Sequence, residues 1–293
     1  MTIIDTRIQG APEPLRASTA RRRARTRHYV MCTPTHFAVE YAINPWMDPT
    51  VPVDAERATM QWDVLRHAFL GLGHRVDVIA PVAGQPDMVF AANGGLTVGG
   101  RSYGARFRHP EREAEAEAFA DFLRGQGLDV TEPTHVNEGE GDFLALRSMI
   151  LAGTGFRTSL EAHIEAAEAL DRPVVSLELV DPRFYHLDTA LAVLDDGGGD
   201  TPADIAYYPG AFSPHSRRTL RELFPDAVKV SELDALVLGL NVVSDGLHVV
   251  LPSAAIELAE TLRRRGYIPV LVELGELLKS GGSVKCCTME LHA

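Results

Sequence analysis

FLALRSMILAGTGFRTSLEAHIEAAEALDRPVVSL, residues 143–177, carries the pattern that decides the fold. Its first ten residues are apolar and interrupted once, by Arg147 and Ser148, which reads as two short strands joined by a tight turn. Residues 159–170 then read as a helix. Pro173 closes the helix and Val174–Leu177 is a third strand. The unit is strand–strand–helix–strand.

The same order repeats along the chain. Further helices are expected at 54–71 with Asp54 as cap, at 110–125, at 215–223 and at 253–265. Most end at glycines: Gly71 and Gly73, Gly125 and Gly127, Gly266. Each precedes a short apolar strand: Val76–Ile79, Leu128–Val130, Ala227–Val230 and Pro269–Val272. Upstream of the helices the strands expected are Phe90–Val98, Phe143–Ala152, Ala190–Leu194 with Ile205–Tyr208, and Val242–Leu251. Units start near residues 89, 143, 188, 241 and 287, in steps of 54, 45, 53 and 46. The last unit has one strand before the chain ends; residues 28–80 supply the rest if the array closes on itself. Five closing units form a ring with few open sheet edges. An open α/β sheet is the alternative, but it uses about one strand per helix, and here the ratio is nearer three.

Composition bounds the function. The 293 residues carry 28 Lys+Arg and 40 Asp+Glu, so 28 − 40 gives −12. That charge disfavours a nucleic-acid surface and favours small cationic or neutral ligands. No apolar run reaches the roughly 18 residues of a membrane helix. Three cysteines, Cys32, Cys286 and Cys287, make no disulfide framework, and a cytoplasmic location is expected. Residues 1–27, with Arg21, Arg22, Arg23, Arg25 and Arg27, lack the apolar stretch of a secretory signal and read as a flexible leader before one catalytic domain, 28–293. The composition leaves room for a homo-oligomer.

In a ring the unit entrances converge on the axis. The polar residues there are Asp87, Asn93, Glu138, Glu140, His186, Asp188, Asn241 and Cys286. Thiol, imidazole and carboxylate are the elements of a nucleophilic site. Cys286 follows the glycines of Gly281-Gly282-Ser283-Val284-Lys285-Cys286-Cys287-Thr288; alternation along a strand would turn only one of the two cysteines inward. Taken alone, buried packing is the commoner fate of a free cysteine. His186 has Asp188 two residues on, on the same strand face, where it could orient the ring. No zinc or calcium spacing and no phosphate-binding glycine motif occurs, and Gly197-Gly198-Gly199 reads as a hairpin turn. No metal or cofactor is expected.

These residues resemble the guanidino-group-modifying enzymes of the amidinotransferase superfamily. The match spans about residues 28–292. Gly-Gly-x-x-x-Cys286-x-Thr288 resembles the family's nucleophile segment, His186-Leu187-Asp188 its catalytic histidine motif, and Asp87-Met88-Val89-Phe90 its substrate-binding motif. The resemblance implies a five-bladed ββαβ propeller, the pentein fold, with pseudo-five-fold symmetry. It implies Cys286, His186 and Glu138 as catalytic residues, with Glu140 the rival for the acid because Glu138-Gly139-Glu140-Gly141-Asp142 has one residue more than the family's run. Arg157, in Gly153-Thr154-Gly155-Phe156-Arg157, looks like the arginine that holds a substrate carboxylate. Asp87, Phe90, Asn93, Asn44 and Asp188 complete the implied substrate site. Asn93 departs from deiminases and dimethylarginine hydrolases, which carry an acid there. With Met31-Cys32-x-Pro34 and Ile43-Asn44-Pro45-Trp46-Met47 it brings the chain nearer the arginine dihydrolases. The implied activity is hydrolysis of arginine or an Nω-methylated arginine to citrulline and an amine. The alternatives are arginine dihydrolysis to ornithine, carbon dioxide and ammonia, amidino transfer to an acceptor amine, and a non-catalytic binding protein on the same fold.

Overall fold

The computed structural model describes residues 22–198 and 201–292. Gly199 and most of the arginine-rich leader lie outside the described residues. Five three-strand groups follow one another along the chain. They are β1 (His28–Cys32) and β2 (Arg75–Ile79), completed by the last strand; β3 (Gly95–Val98), β4 (Arg101–Gly104) and β5 (Asp129–Thr131); β6 (Phe143–Ala145), β7 (Ile150–Thr154) and β8 (Val174–Glu178); β9 (Leu191–Asp195), β10 (Asp204–Tyr207) and β11 (Val228–Lys229); β12 (Val243–Ser244), β13 (His248–Pro252) and β14 (Ile268–Val272). The last strand is β15 (Met289–His292), which pairs antiparallel with β1.

Pairing is the same in every group: the first strand runs antiparallel to the second, and the second parallel to the third. Three groups are separate three-stranded sheets. The other two join through a parallel β15–β3 contact into a six-stranded sheet, β2-β1-β15-β3-β4-β5. The first and last described strands therefore meet in one sheet, and β1 and β2 complete the group that β15 begins.

The long helices lie where their periodicity puts them. Ala55–Gly71 buries Ala58, Trp62, Leu65 and Phe69 on one face, and Asp54 accepts from the Arg57 amide at 3.0 Å. Leu160–Leu170 begins at Ser159, whose hydroxyl accepts from the Ala162 amide. Glu113–Gly125, Pro214–Leu223 and Ile256–Arg264 complete the set. Gly197 and Gly198 turn the chain between β9 and β10.

The structure corrects the sequence reading nearest the centre. Phe90–Asn93 is not strand: Pro86–Val89 and Ala91–Gly94 are two turns of 3-10 helix. His186 and Asp188 do not share a strand face, because Leu187–Ala190 is a helical turn with His186 at its N-cap. Cys286 and Cys287 lie in a turn before β15, so strand alternation does not separate them. Apolar runs at these points reflect full burial, which strand and tight turn share. Residues 22–27, the described part of the expected flexible leader, are tied down: Arg22 pairs with Asp204, Arg25 with Asp195 and Asp196, and Arg27 with Asp196 and Glu290.

Candidate active site

Glycine-rich turns let the central side chains crowd together. Glu138 opens the 3-10 turn Gly139–Gly141. Gly139 has φ +51°, and a Cβ there would lie 2.5 Å from the Gly95 amide nitrogen. A Cβ on Gly141 would lie 2.3 Å from the Asn93 amide and 3.3 Å from the His186 ring. Gly139 is thus pressed against the backbone of Ala92 and Gly95, and Gly141 against Asn93 and His186, so a larger residue at position 141 would drive those two side chains apart.

Cys286 is 3% exposed and borders a small cavity. The cavity is lined also by Ile43, Asn44, Met47, Asp87, Phe90, Asn93, Arg112, Arg157, Tyr185 and Ser280. Asn241 clamps the cysteine: its Oδ1 accepts from the Cys286 amide at 3.1 Å, and its Nδ2 donates to Sγ at 3.1 Å. The thiol itself donates to Asp188 Oδ2 at 3.3 Å. Asp188 Oδ1 is buried with no hydrogen-bond partner. Both cysteines belong to one apolar cluster with Val89, Val250 and Val284, but Cys287 does not border the cavity.

His186 is outside the cavity lining. Its Nε2 bonds Glu138 Oε2 at 2.7 Å, and its ring tilts against Tyr185 with centroids 4.6 Å apart. The same Glu138 oxygen accepts from Arg157 Nη1 at 2.8 Å, while Oε1 accepts from the Arg108 amide. Arg157 Nη2 donates to the Ile43 carbonyl, fastening the 43–47 segment to the site. Glu140 turns away, to Lys285 and His292. The geometry thus separates the two rival acids: only Glu138 touches the imidazole.

Asp87 accepts from Ser280 Oγ at 2.8 Å and from the Tyr41 hydroxyl at 2.9 Å. Asn44 bonds the Ser280 carbonyl and the Trp46 amide. Asn93 donates to the Glu138 carbonyl and accepts from Arg112 Nη1 at 2.8 Å. Arg112 went unnoticed in the sequence because it follows Pro110 at the mouth of an ordinary charged helix. It is 4% exposed, forks onto Glu115 at 2.8 and 2.7 Å, and donates to the Asp87 carbonyl at 3.1 Å. Among the described residues, no three His, Cys, Asp or Glu side chains are grouped to hold a metal ion.

No family model matches the chain. It is 56% identical over 275 residues to N(G),N(G)-dimethylarginine dimethylaminohydrolase of Mycobacterium tuberculosis, an alignment covering 94% of this chain and 89% of that one. The chain belongs to the dimethylarginine dimethylaminohydrolase family. Solved relatives of this family's fold include the N-terminal domain of ArgZ, an arginine dihydrolase of the cyanobacterial ornithine–ammonia cycle. A cysteine-to-serine variant of that domain, bound to substrate, is 36% identical with a TM-score of 0.85, over 91% of this chain and 98% of that one. An asparagine-to-serine variant, covalently bound to a reaction intermediate, is 37% identical with a TM-score of 0.85, over 90% and 97%.

Electrostatics in this dimethylarginine dimethylaminohydrolase relative fit a site awaiting a cation. Burial, reinforced by Asp188, raises the Cys286 thiol well above its ordinary value, which favours the protonated sulfur. Burial also pushes Asp188 up to about 6, against the pull of His186. Burial would raise Glu138 too, but Arg157 and His186 outweigh it and keep that carboxylate ionised far into acid. Burial dominates at Asp87, which is raised despite Arg112.

Proposed function

We propose that the chain hydrolyses the guanidino C–N bond of arginine or an Nω-methylated arginine, with Cys286 as nucleophile. The observation that carries this is the buried Cys286 thiol beside an Asp188 oxygen with no partner, at the wall of a small cavity that Asp87 and Arg157 also line. Asp188 Oδ1 and Asp87 accept from the guanidinium nitrogens, and Asn93 offers its second lone pair. Arg157 and Arg112 are the cations available to a substrate carboxylate. Asn44 and Phe90 shape the wall. The substrate charge lowers the thiol, whose proton moves to His186 Nδ1, the nitrogen that Glu138 leaves free.

Sulfur bonds the guanidinium carbon. The imidazolium returns the proton to the departing nitrogen, the C–N bond breaks, and ammonia or a methylamine leaves neutral. Water then bonds the thiouronium carbon and the C–S pair returns to sulfur. One water proton reaches sulfur through His186 and the other leaves to solvent. Glu138 holds the ring in register and stabilises its charged form. The reading places these residues on the axis of a five-bladed ββαβ propeller. The identical pairing in all five strand groups and the β15–β1 junction support that closure.

Arginine and asymmetric dimethylarginine, supplied separately and followed by mass spectrometry of the products, test the proposal. Citrulline or ornithine is expected; neither product from either substrate would discard it. Asn93 favours a second reading, dihydrolysis to ornithine, since ArgZ shares the fold and the neutral amide admits an uncharged ureido group for a second attack. Asn93→Asp places an anion beside Arg112 and is expected to move product from ornithine toward citrulline. An unchanged product ratio would remove Asn93 as the determinant.

A further inference from the structure

Asn241 reaches the sulfur without lining the cavity. It has no exposed surface, and its Nδ2 donates to Cys286 Sγ at 3.1 Å. Two backbone groups fix which end of the amide faces the sulfur. Oδ1 accepts from the Cys286 amide at 3.1 Å, and Nδ2 also donates to the Asp188 carbonyl at 3.3 Å. A turned amide would set a donor against an N–H and an acceptor against a carbonyl, so the donor stays on Sγ.

The backbone is bent to bring the amide there. Leu238 is fully buried with φ +52°, a left-handed conformation that a bulky side chain rarely adopts. Asn241 donates its own amide to the Leu238 carbonyl at 2.9 Å and accepts from the Lys285 amide at 3.4 Å. Strain of this kind persists where the surroundings hold it, and it gathers at functional sites.

The sulfur thus has two polar neighbours of opposite use. Asp188 Oδ2 accepts the thiol proton at 3.3 Å, and once that proton has gone the carboxylate repels the sulfur. The Asn241 N–H bonds a thiol weakly and a thiolate more strongly. In the hydrolysis the sulfur carries its extra pair twice, before it bonds carbon and when the C–S pair returns to it.

We infer that Asn241 is a catalytic residue, the hydrogen-bond donor that stabilises the Cys286 thiolate as it forms and again as it leaves carbon. The second role rests on the hydrolase reading above; the first concerns the thiol alone.

Iodoacetamide alkylation of Cys286, followed by peptide mass, reads the thiolate without substrate. Asn241→Ala removes the donor and adds no charge. Alkylation near pH 8 should slow about tenfold, the lower end of what a hydrogen bond to a charged acceptor is worth. One added pH unit should restore the rate, because below the thiol pKa the thiolate rises about tenfold per unit. In turnover kcat should fall about a hundredfold with KM within about threefold, since the amide touches sulfur and not the cavity. Asn241→Asp keeps the shape and the acceptor for the Cys286 amide but replaces the donor with an anion. It should slow alkylation about a hundredfold, and it serves if the alanine variant does not fold. A residue that only clamped the chain would act the other way, because loosening a buried cysteine speeds its alkylation. A rate equal to or above wild type in a folded variant would overturn the inference. Slow alkylation in the variants, with a wild-type protein that converts neither arginine nor asymmetric dimethylarginine, would keep the donor and discard the hydrolysis.

Discussion

Glu138 and Glu140 are two residues apart, equally buried, on one 3-10 turn, and they face different worlds. Glu138 meets an imidazole and an arginine beside the thiol; Glu140 meets a lysine and a histidine at a second cavity, which Arg27, Tyr29 and Glu290 also line. Burial does not distinguish them, and neither does the direction of their titration, since cationic partners hold both carboxyls low against burial. Partners distinguish them. The same contrast separates Cys286 from Cys287: adjacent, buried and in one apolar cluster, they differ in that Cys286 borders the cavity and meets Asn241 and Asp188 while Cys287 stays off the lining. A charged or nucleophilic residue at the centre of this fold is informative only once its neighbour is named.

The cysteine pair gives the largest test of that contrast. Cys286→Ser should lower turnover by about 10⁴-fold or more, the scale of removing a nucleophile that acts as part of a unit, while substrate binding by calorimetry persists. Cys287→Ser should keep kcat within about threefold and cost about 1–2 kcal/mol of stability through a buried hydroxyl. Comparable losses in both would dissolve the distinction.

Next come the two glutamates. Glu138→Gln leaves His186 without its acceptor anion, and kcat should drop about 10²–10³-fold. Glu140→Gln should cost no more than about fivefold in kcat. Both break buried ion pairs, so both should lose about 3 kcal/mol in denaturant unfolding. Stability falls on both sides of the centre, and catalysis falls on one. A Glu140→Gln variant as inactive as Glu138→Gln would show that the second cavity holds catalytic groups.

Acid should reach the catalytic side through Asp188. Its folded value is raised to about 6 by burial, against His186. Above that pH the carboxylate is ionised and binds a guanidinium; below it the group is protonated and cannot. The value of kcat/KM should therefore fall about tenfold per pH unit below about 6, with Asp188→Asn abolishing that limb along with most activity. A flat profile down to pH 5 would remove Asp188 from guanidinium binding.

Much of this was legible in the sequence, and the illegible part has a shared cause. The helices are readable because one face repeats every 3.6 residues, and a cap marks the start of the first, Asp54; the Ser159 cap shows only in the structure. The strand–strand–helix–strand repeat followed from counting. At the centre the elements shrink to turns of three or four residues, every face is buried, and period loses meaning. Phe90–Asn93, His186–Asp188 and Cys286 were therefore assigned to strands although they lie on turns. Motif likeness brought Asp87, Asn93, Arg157, His186 and Cys286 to one place without reproducing their contacts. Arg112 was missed because an arginine at a helix entrance looks solvated, and only the fold reveals that Glu115 and Asn93 enclose it.

The smallest effect expected lies farthest from the chemistry, at the arginine-rich segment that flanks the second cavity. Arg22 places its guanidinium 3.4 Å from the Tyr267 ring centroid and bonds Asp204 at 2.9 Å and the Arg265 carbonyl at 2.9 Å. Its side chain and that of Asp204 are 8% and 2% exposed, so the pair is shielded from salt as the surface pair of Arg124 and Asp121 is not. Arg22→Ala strips a stacking cation from Tyr267 and an ion from Asp204, though the Tyr267 hydroxyl still donates to that carboxylate at 2.8 Å. The expected loss is about 2 kcal/mol in denaturant unfolding, against less than about 0.5 kcal/mol for Arg124→Ala. Neither should change kcat by more than about twofold, because neither side chain borders either cavity. Equal stability losses would mean that the Arg22 contacts are no stronger than ordinary surface pairs, and the segment would then be an ornament of the domain rather than a fastening.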